Sequence, residues 1–320
     1  MKIVGIGIAC AGALAVTSAA VTTYFFRRTM IRQKADVERT IKMAGTDWSQ
    51  YSDILAERKA FIQAQPLENV YQTSFDGLKL HATYIPAISE NKEKNGNKKR
   101  IVICFHGYTS KGMADFTGLS DYYLRQGYAM LHPDARSHGE SEGKYIGFGC
   151  LDRKDALGWI NWAIEKCGED VEILLHGISM GGATVLMTSG LEELPSQVKG
   201  IVSDCAFTSP KEVFTHVLKS MYHMPSFPII PMANILNKKL AGYGMDECNA
   251  KREVAKAKVP ILFVHGSKDT FVPVSMCHEI YGCCASPKKK LIIEGAAHAE
   301  SYFKDMTTYE KALNEFTKDL

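Results

Sequence analysis

The sequence predicts an α/β protein whose mostly parallel sheet is covered by helices on both faces. Three observations carry this. Short apolar runs, "IVICF", "YAML", "VEILL", "GIVSD", "ILFVH" and "LIIE", alternate with segments of helical pattern, and strands apolar on both faces belong to a parallel sheet buried on both sides. Each run ends in polar or glycine-containing sequence: His106-Gly107-Tyr108, "HPDARSHGES", "HGISMGG", Asp204, "GSKDTFVP" and "GAAHAES". Six segments thus converge on the carboxyl edge of the sheet, where ligands gather in such folds. One of these ends, His176 to Gly182, sets a lone serine between glycines where a strand turns into a helix.

The elements follow in order along 320 residues, 46% hydrophobic and 23% charged, a composition and length suited to one main domain with an appendage. The formal net charge of +3, with basic and acidic residues interspersed, argues against nucleic acid as a partner. From Ile3 to Phe26 no residue is charged, a run exceeding the ~20 apolar residues that cross a bilayer as a helix. "FFRR" closes it with aromatics and arginines suited to a membrane interface. A cleaved signal peptide is the competing reading, since "TSAAV" offers small residues. The run continues past that point to Phe26, so residues 1–33 are read as an uncleaved single-pass transmembrane anchor. Arg27, Arg28, Arg32, Lys34 and Arg39 follow it against Lys2 before it, which favours the cytoplasmic side for the main domain in a bacterium, with the extracytoplasmic side as the alternative.

Residues 34–66 are a linker and covering helix stopped by Pro66, and residues 67–320 the main domain. "VYQTSFDGLKLHATYIP" predicts a hairpin around Asp76-Gly77, with Leu78, Leu80, Ala82 and Tyr84 alternating against Lys79, His81 and Thr83. "NKEKNGNKKR" and "PKKK" read as solvated loops. The segment at about 207–258 is rich in Met, aromatics and Pro around "SMYHMPSFPIIPM" and reads as a short lid over the rim; plain outer-helix packing is the alternative. Cys104 and Cys205 read as small buried hydrophobes. No CxxC pair or HxxxH spacing suggests a metal, and no cofactor is implied.

The serine turn states a chemical problem. A serine hydroxyl is a weak nucleophile near neutral pH; it needs a base within hydrogen-bond reach and donors for the oxyanion it creates. A tight strand-to-helix turn at Ser179 lifts the hydroxyl out of the sheet edge, and Gly177 and Gly181 permit it because a side chain at either would crowd the turn. A glycine-bounded turn with a capping serine is the bland alternative. What favours chemistry is the order of later strand ends, Asp269 and then His298, so that the polar residues run Ser, Asp, His. Asp204, also at a strand end, is a rival acid. His106 and His176 read as structural, His138 as a turn residue, and Asp134 with Arg136 as a pair fixing their loop.

In the order "FHGYTS", "DARSHGES", "GISMGG", "HGSKDTFVP", "GAAHAES", the chain from about Val70 onward resembles the α/β-hydrolase superfamily. More narrowly it is similar to bacterial membrane-anchored serine hydrolases and esterases near the serine-peptidase-like branch. The resemblance implies Ser179 as nucleophile, His298 as general base and acid, Asp269 as the carboxylate orienting His298, and an oxyanion hole from the backbone N–H groups of Tyr108 and Met180. The expected activity is hydrolysis of a small-molecule carboxylic ester through a covalent acyl-enzyme. A peptidase or amidase with the same machinery is one alternative, and a non-catalytic ligand-binding or scaffold member of the fold is another.

Overall fold

A computed structural model of the chain describes residues 2–32, 45–88, 99–318 and 320, with side chains from residue 16 onward. Residues 34–44 of the linker at 34–66 and residues 91–98 of the loop at 91–100 therefore lie outside the described residues. Helix α1 (Lys2–Met30) opens the chain, and α2 (Ser52–Gln63) follows a short 3-10 turn. Strands β1 (Glu68–Thr73) and β2 (Lys79–Ile85) form the expected hairpin, with Gly77 at φ 89° in its turn. Then strands and helices alternate: β3 (Arg100–Phe105), α3 (Thr117–Arg125), β4 (Tyr128–Pro133), α4 (Asp152–Cys167), β5 (Glu172–Ile178), α5 (Met180–Thr188) and β6 (Val198–Asp204). Helices α6 (Pro210–Ser220), α7 (Ile229–Leu240) and α8 (Ala250–Val254) intervene before β7 (Ile261–Gly266), α9 (Val274–Cys283) and β8 (Lys288–Ile293). Helices α10 (Ser301–Lys304) and α11 (Met306–Thr317) end the chain.

One sheet takes all eight strands in the order β1-β2-β4-β3-β5-β6-β7-β8. β1 pairs antiparallel with β2 and β2 antiparallel with β4, while every pairing from β4 to β8 is parallel. Period-two alternation sends neighbouring residues to opposite faces. Ile101, Ile103 and Leu175 join the core on one side, whereas Val102, Cys104 and Leu174 join the core on the other. This two-sided burial is why the strands read as unbroken apolar runs.

Helix α1 differs in part from the expected single-pass transmembrane anchor. Among the described residues no helix is long and apolar enough to cross a membrane. The carboxyl-terminal part of α1 lies on the main domain: Thr22, Phe26 and Met30 are buried at a four-residue repeat, the spacing of one helix face. Val21 and Phe25 pack with Leu218, Ile229 and Ile230 of α6 and α7. Beyond the helix, Arg32 donates to the carbonyls of Ser141 (2.5 Å) and Gly139 (2.6 Å), and its backbone N–H to Lys144 (2.8 Å). Phe25 and Phe26 thus sit against protein rather than at a lipid interface, because the apolar face that an outer helix would show to lipid is covered by α6 and α7.

Candidate active site

Strand β5 ends at Ile178 and α5 begins at Met180, so the whole change of direction falls on Ser179, at φ 56° and ψ −111°. A non-glycine residue in that conformation is strained and persists only where its surroundings hold it. Here Ser179 donates its N–H to the Asp204 carbonyl (2.8 Å) and accepts from Ala183 N–H (2.9 Å). A Cβ on Gly177 would run into the Gly181 carbonyl, and one on Gly181 into the Phe105 carbonyl. Only glycine lets α5 approach β3 and β5 this closely.

The other two residues arrive from the ends of β7 and β8. Ser179 Oγ lies 2.9 Å from His298 Nε2, and His298 Nδ1 lies 2.7 Å from Asp269 Oδ2. A carboxylate only accepts, so Nδ1 carries the proton, leaving the Nε2 lone pair to receive the serine O–H. Asp269 is over-determined: its Oδ1 accepts from the N–H groups of Phe271 (3.0 Å) and Val272 (2.8 Å), and its Oδ2 also faces His265 Nε2 at 3.2 Å. Burial pushes the Asp269 carboxyl up, but His298 and the hydrogen bonds from both histidines outweigh it and hold the group well below the usual carboxylate range. Burial likewise opposes a charge on His265, and the Asp269 carboxylate overrides it and raises the imidazole.

Asp204, the rival acid, is engaged elsewhere. Its Oδ1 accepts from Ser301 Oγ (3.2 Å) and its Oδ2 from Tyr309 O–H (3.1 Å), and burial pushes it up. Tyr108 and Met180 are placed differently from each other. Met180 is the first residue of α5, so its N–H has no partner within the helix. Tyr108 lies on a loop pinned by Asp115, which accepts from Gly107 N–H (2.7 Å) and Ser110 Oγ (2.5 Å). His106 and His138 stitch that loop to the next rim loop: His106 Nε2 accepts from Ala135 N–H (2.9 Å), and His138 Nε2 from Thr109 N–H (3.3 Å). His176 lies between the hydroxyls of Tyr123 (2.7 Å) and Tyr309 (3.2 Å). All three are structural here.

The expected Asp134–Arg136 pair does not form. Arg136 makes paired hydrogen bonds to Asp155 (2.6 and 2.7 Å) and to Asp76 (2.9 and 3.0 Å), while Asp134 binds His81 Nδ1 (2.8 Å). The fork of the guanidinium is met by two carboxylates that the fold delivers from the hairpin turn and α4, which suits its planar geometry better than its sequence neighbour would.

Several residues that bear on the site carry no sequence motif. Thr46 Oγ1 donates to the His298 carbonyl (2.8 Å), and Glu300 accepts from Ala297 N–H (2.7 Å) and Tyr51 O–H (2.6 Å). The segment before α2 therefore clamps the histidine loop. The Phe271 ring packs edge-on at 5.0 Å from the His298 ring. Among the described residues, Cys205, Asp269 and His298 offer ligand atoms within 4.8 Å of one another. Burial pushes the Cys205 thiol far up and Asp269 and His298 are spent on each other, a poor donor set for a cation.

An apolar cleft opens onto Ser179, which is itself only 7% exposed. Phe207, Phe214 and Ile230, from the segment expected as a lid, line it together with Phe148 and Phe271, and among the described residues no charged one lines it.

The chain matches the family model described as serine aminopeptidase, S33, over residues 96–243. It is 30% identical over 220 residues to the uncharacterized protein YqkD of Bacillus subtilis, covering 69% of this chain and 71% of that protein. It is 23% identical over 231 residues to an uncharacterized membrane protein of Saccharomyces cerevisiae, covering 71% of each. Among solved structures, an esterase of Pyrococcus furiosus superposes with a TM-score of 0.63 at 22% identity, over 81% of this chain and 93% of that one. An esterase of Exiguobacterium antarcticum gives 0.56 at 18% identity, over 78% and 100%. The family match spans β3 to β6 and the turn at Ser179, and with these relatives it makes the chain a member of the α/β-hydrolase superfamily.

Proposed function

We propose that the protein is a serine esterase working through a covalent acyl-enzyme. The observation that carries this reading is the continuous hydrogen-bonded chain from Ser179 through His298 to Asp269, at 2.9 and 2.7 Å, facing an apolar cleft. His298 Nε2 takes the Ser179 proton as Oγ attacks the ester carbonyl carbon. The resulting oxyanion is met by the N–H groups of Tyr108 and Met180. Collapse expels the alcohol, protonated by His298, and a water activated by the same nitrogen then releases the acid and restores Ser179. Asp269 keeps the imidazole in the required tautomer and stabilises the imidazolium that forms.

An aminopeptidase, the activity the family model is described by, uses the same machinery. It must hold the substrate's α-ammonium group, and an unpaired charge is costly to bury; among the described residues the cleft offers no acidic residue to meet one. That favours the ester. A non-catalytic member of the fold would have no need to hold a strained Ser179 backbone against a buried imidazole–carboxylate pair. The test is a panel of acyl esters against aminoacyl anilides: esters are expected to turn over faster by more than tenfold, and faster cleavage of any aminoacyl anilide would move the protein to the peptidase reading.

We propose further that the amino-terminal segment attaches the enzyme to a membrane. The support is the absence of charge from Ile3 to Phe26. From Ile3 to Val21, short of the buried Thr22, a helix reaches about 28 Å, close to the ~30 Å of a hydrocarbon core. Arg27, Arg28 and Arg32 next to that segment favour a cytoplasmic hydrolase domain.

A further inference from the structure

Helix α1 forms one wall of the cleft at Ser179. Phe25, Phe26, Thr29 and Met30 face Phe214 of α6 and Ile230 of α7 across it. The wall is fixed at several points. Phe25 packs edge-on against the Tyr222 ring at 4.8 Å, and the Thr22 hydroxyl reaches the Met232 sulfur at 4.0 Å. Ile146 N–H bonds the Met30 carbonyl at 2.9 Å. Tyr108, whose backbone N–H is the proposed oxyanion donor, donates its hydroxyl to the Arg28 carbonyl at 3.3 Å and stacks its ring on Phe148 at 5.2 Å. The helix is therefore tied both to the cleft and to the loop that would meet the developing charge.

The cleft has a volume of about 90 Å³, several times the ~10–15 Å³ that admits a single water-sized group. Among the described residues its lining offers no charged side chain, and its polar side-chain groups are hydroxyls. That chemistry fits a hydrocarbon chain and strands a charged or strongly polar group.

We propose that this cleft is an acyl-chain site with α1 as one of its walls: it takes the hydrocarbon chain of a carboxylic ester, and α1 limits the length of chain that fits. The assignment rests on the reading of Ser179 as nucleophile. A segment that hydropathy marks as a membrane attachment thus also measures the substrate.

The test uses the full chain, purified and reconstituted in phosphatidylcholine nanodiscs, with p-nitrophenyl esters from acetate to myristate and fluorophosphonate labelling in parallel. Each methylene that enters the site should raise kcat/KM about fourfold, giving on the order of 10³ from acetate to octanoate. The rise should stop at the chain length that fills the cleft, within the series. In Thr29→Trp an indole takes up space on the α1 wall of the cleft, and the break should fall at least two carbons earlier. In Phe25→Ala the removed ring should move the break at least two carbons later. A wild type whose kcat/KM does not rise with chain length overturns the acyl site. Variants that melt like wild type, label like it and keep the break in place overturn the role of α1. Absence of labelling in folded wild-type protein overturns the reading of Ser179 on which both depend.

Discussion

Replacing Asp269 by asparagine tests the carboxylate with almost no change of shape, and the surroundings dictate how the new amide must sit. Asp269 Oδ1 accepts two backbone N–H bonds, from Phe271 at 3.0 Å and Val272 at 2.8 Å. Turning the NH₂ group toward these would set donors against donors, so the amide oxygen stays there. The NH₂ group then takes the place of Oδ2, 2.7 Å from His298 Nδ1. A donor at that point forces the imidazole to present a lone pair at Nδ1 and to carry its proton on Nε2, facing Ser179 Oγ, where no proton can be accepted. Loss of the base in this way costs about 10⁴ in kcat, or roughly 5 kcal/mol of transition-state stabilisation. The assay is hydrolysis of p-nitrophenyl octanoate, with the thermal midpoint measured on the same samples. Asp204→Asn is the control: Asp204 bonds Ser301 and Tyr309 rather than the imidazole, and kcat should fall less than tenfold. A folded Asp269→Asn enzyme within tenfold of wild type, or a larger loss at Asp204, would refute the argument.

Three further outcomes follow from the same geometry. Gly181→Ala drives a methyl into the Phe105 carbonyl, with backbone on both sides of the clash; folding stability should fall by more than about 4 kcal/mol, and a thermal midpoint near wild type would contradict this. His132 is fully buried with neither ring nitrogen hydrogen-bonded among the described residues, and burial lowers its pKa to about 3, as it does those of His138 and His176. Such groups bind protons only on unfolding, so their contribution is intact above an unfolded pKa of about 6.5 and is lost as pH falls toward 3. His132→Leu should accordingly shift the acid-unfolding midpoint down by roughly half a pH unit and add about 1 kcal/mol at neutral pH; an unchanged midpoint in an acid titration followed by fluorescence would count against it. Protease added to bacterial spheroplasts expressing the chain should spare the hydrolase domain, and its digestion while a cytosolic marker survives would place the domain outside.

What could be read from the sequence was set by local physics. The strands were legible because each is buried on both faces, and Ser179 because only glycine tolerates positions 177 and 181 beside such a turn. Asp269 and His298 were legible from chain order, since parallel strands bring their carboxyl ends to one edge. Partners supplied by tertiary structure were not. Arg136 lies two residues from Asp134, yet its carboxylates come from Asp76 and Asp155. The clamp of Thr46 and Glu300 on the histidine loop joins residues some 250 positions apart in sequence. The inward face of α1 was hidden for a different reason. An uncharged run has the same hydropathy whether lipid or protein covers it, and the repeat of Thr22, Phe26 and Met30 acquires meaning only when α6 and α7 are seen against it.

The central claim, that Ser179 carries the acyl group, is tested most directly by reacting the purified full chain with a fluorophosphonate and weighing the intact protein, followed by peptide mapping. The account predicts one adduct, on Ser179, absent from Ser179→Ala, whose turnover should fall by roughly 10⁶. An adduct on any other residue, or a folded Ser179→Ala protein that still labels and hydrolyses esters at more than a tenth of the wild-type rate, would contradict it.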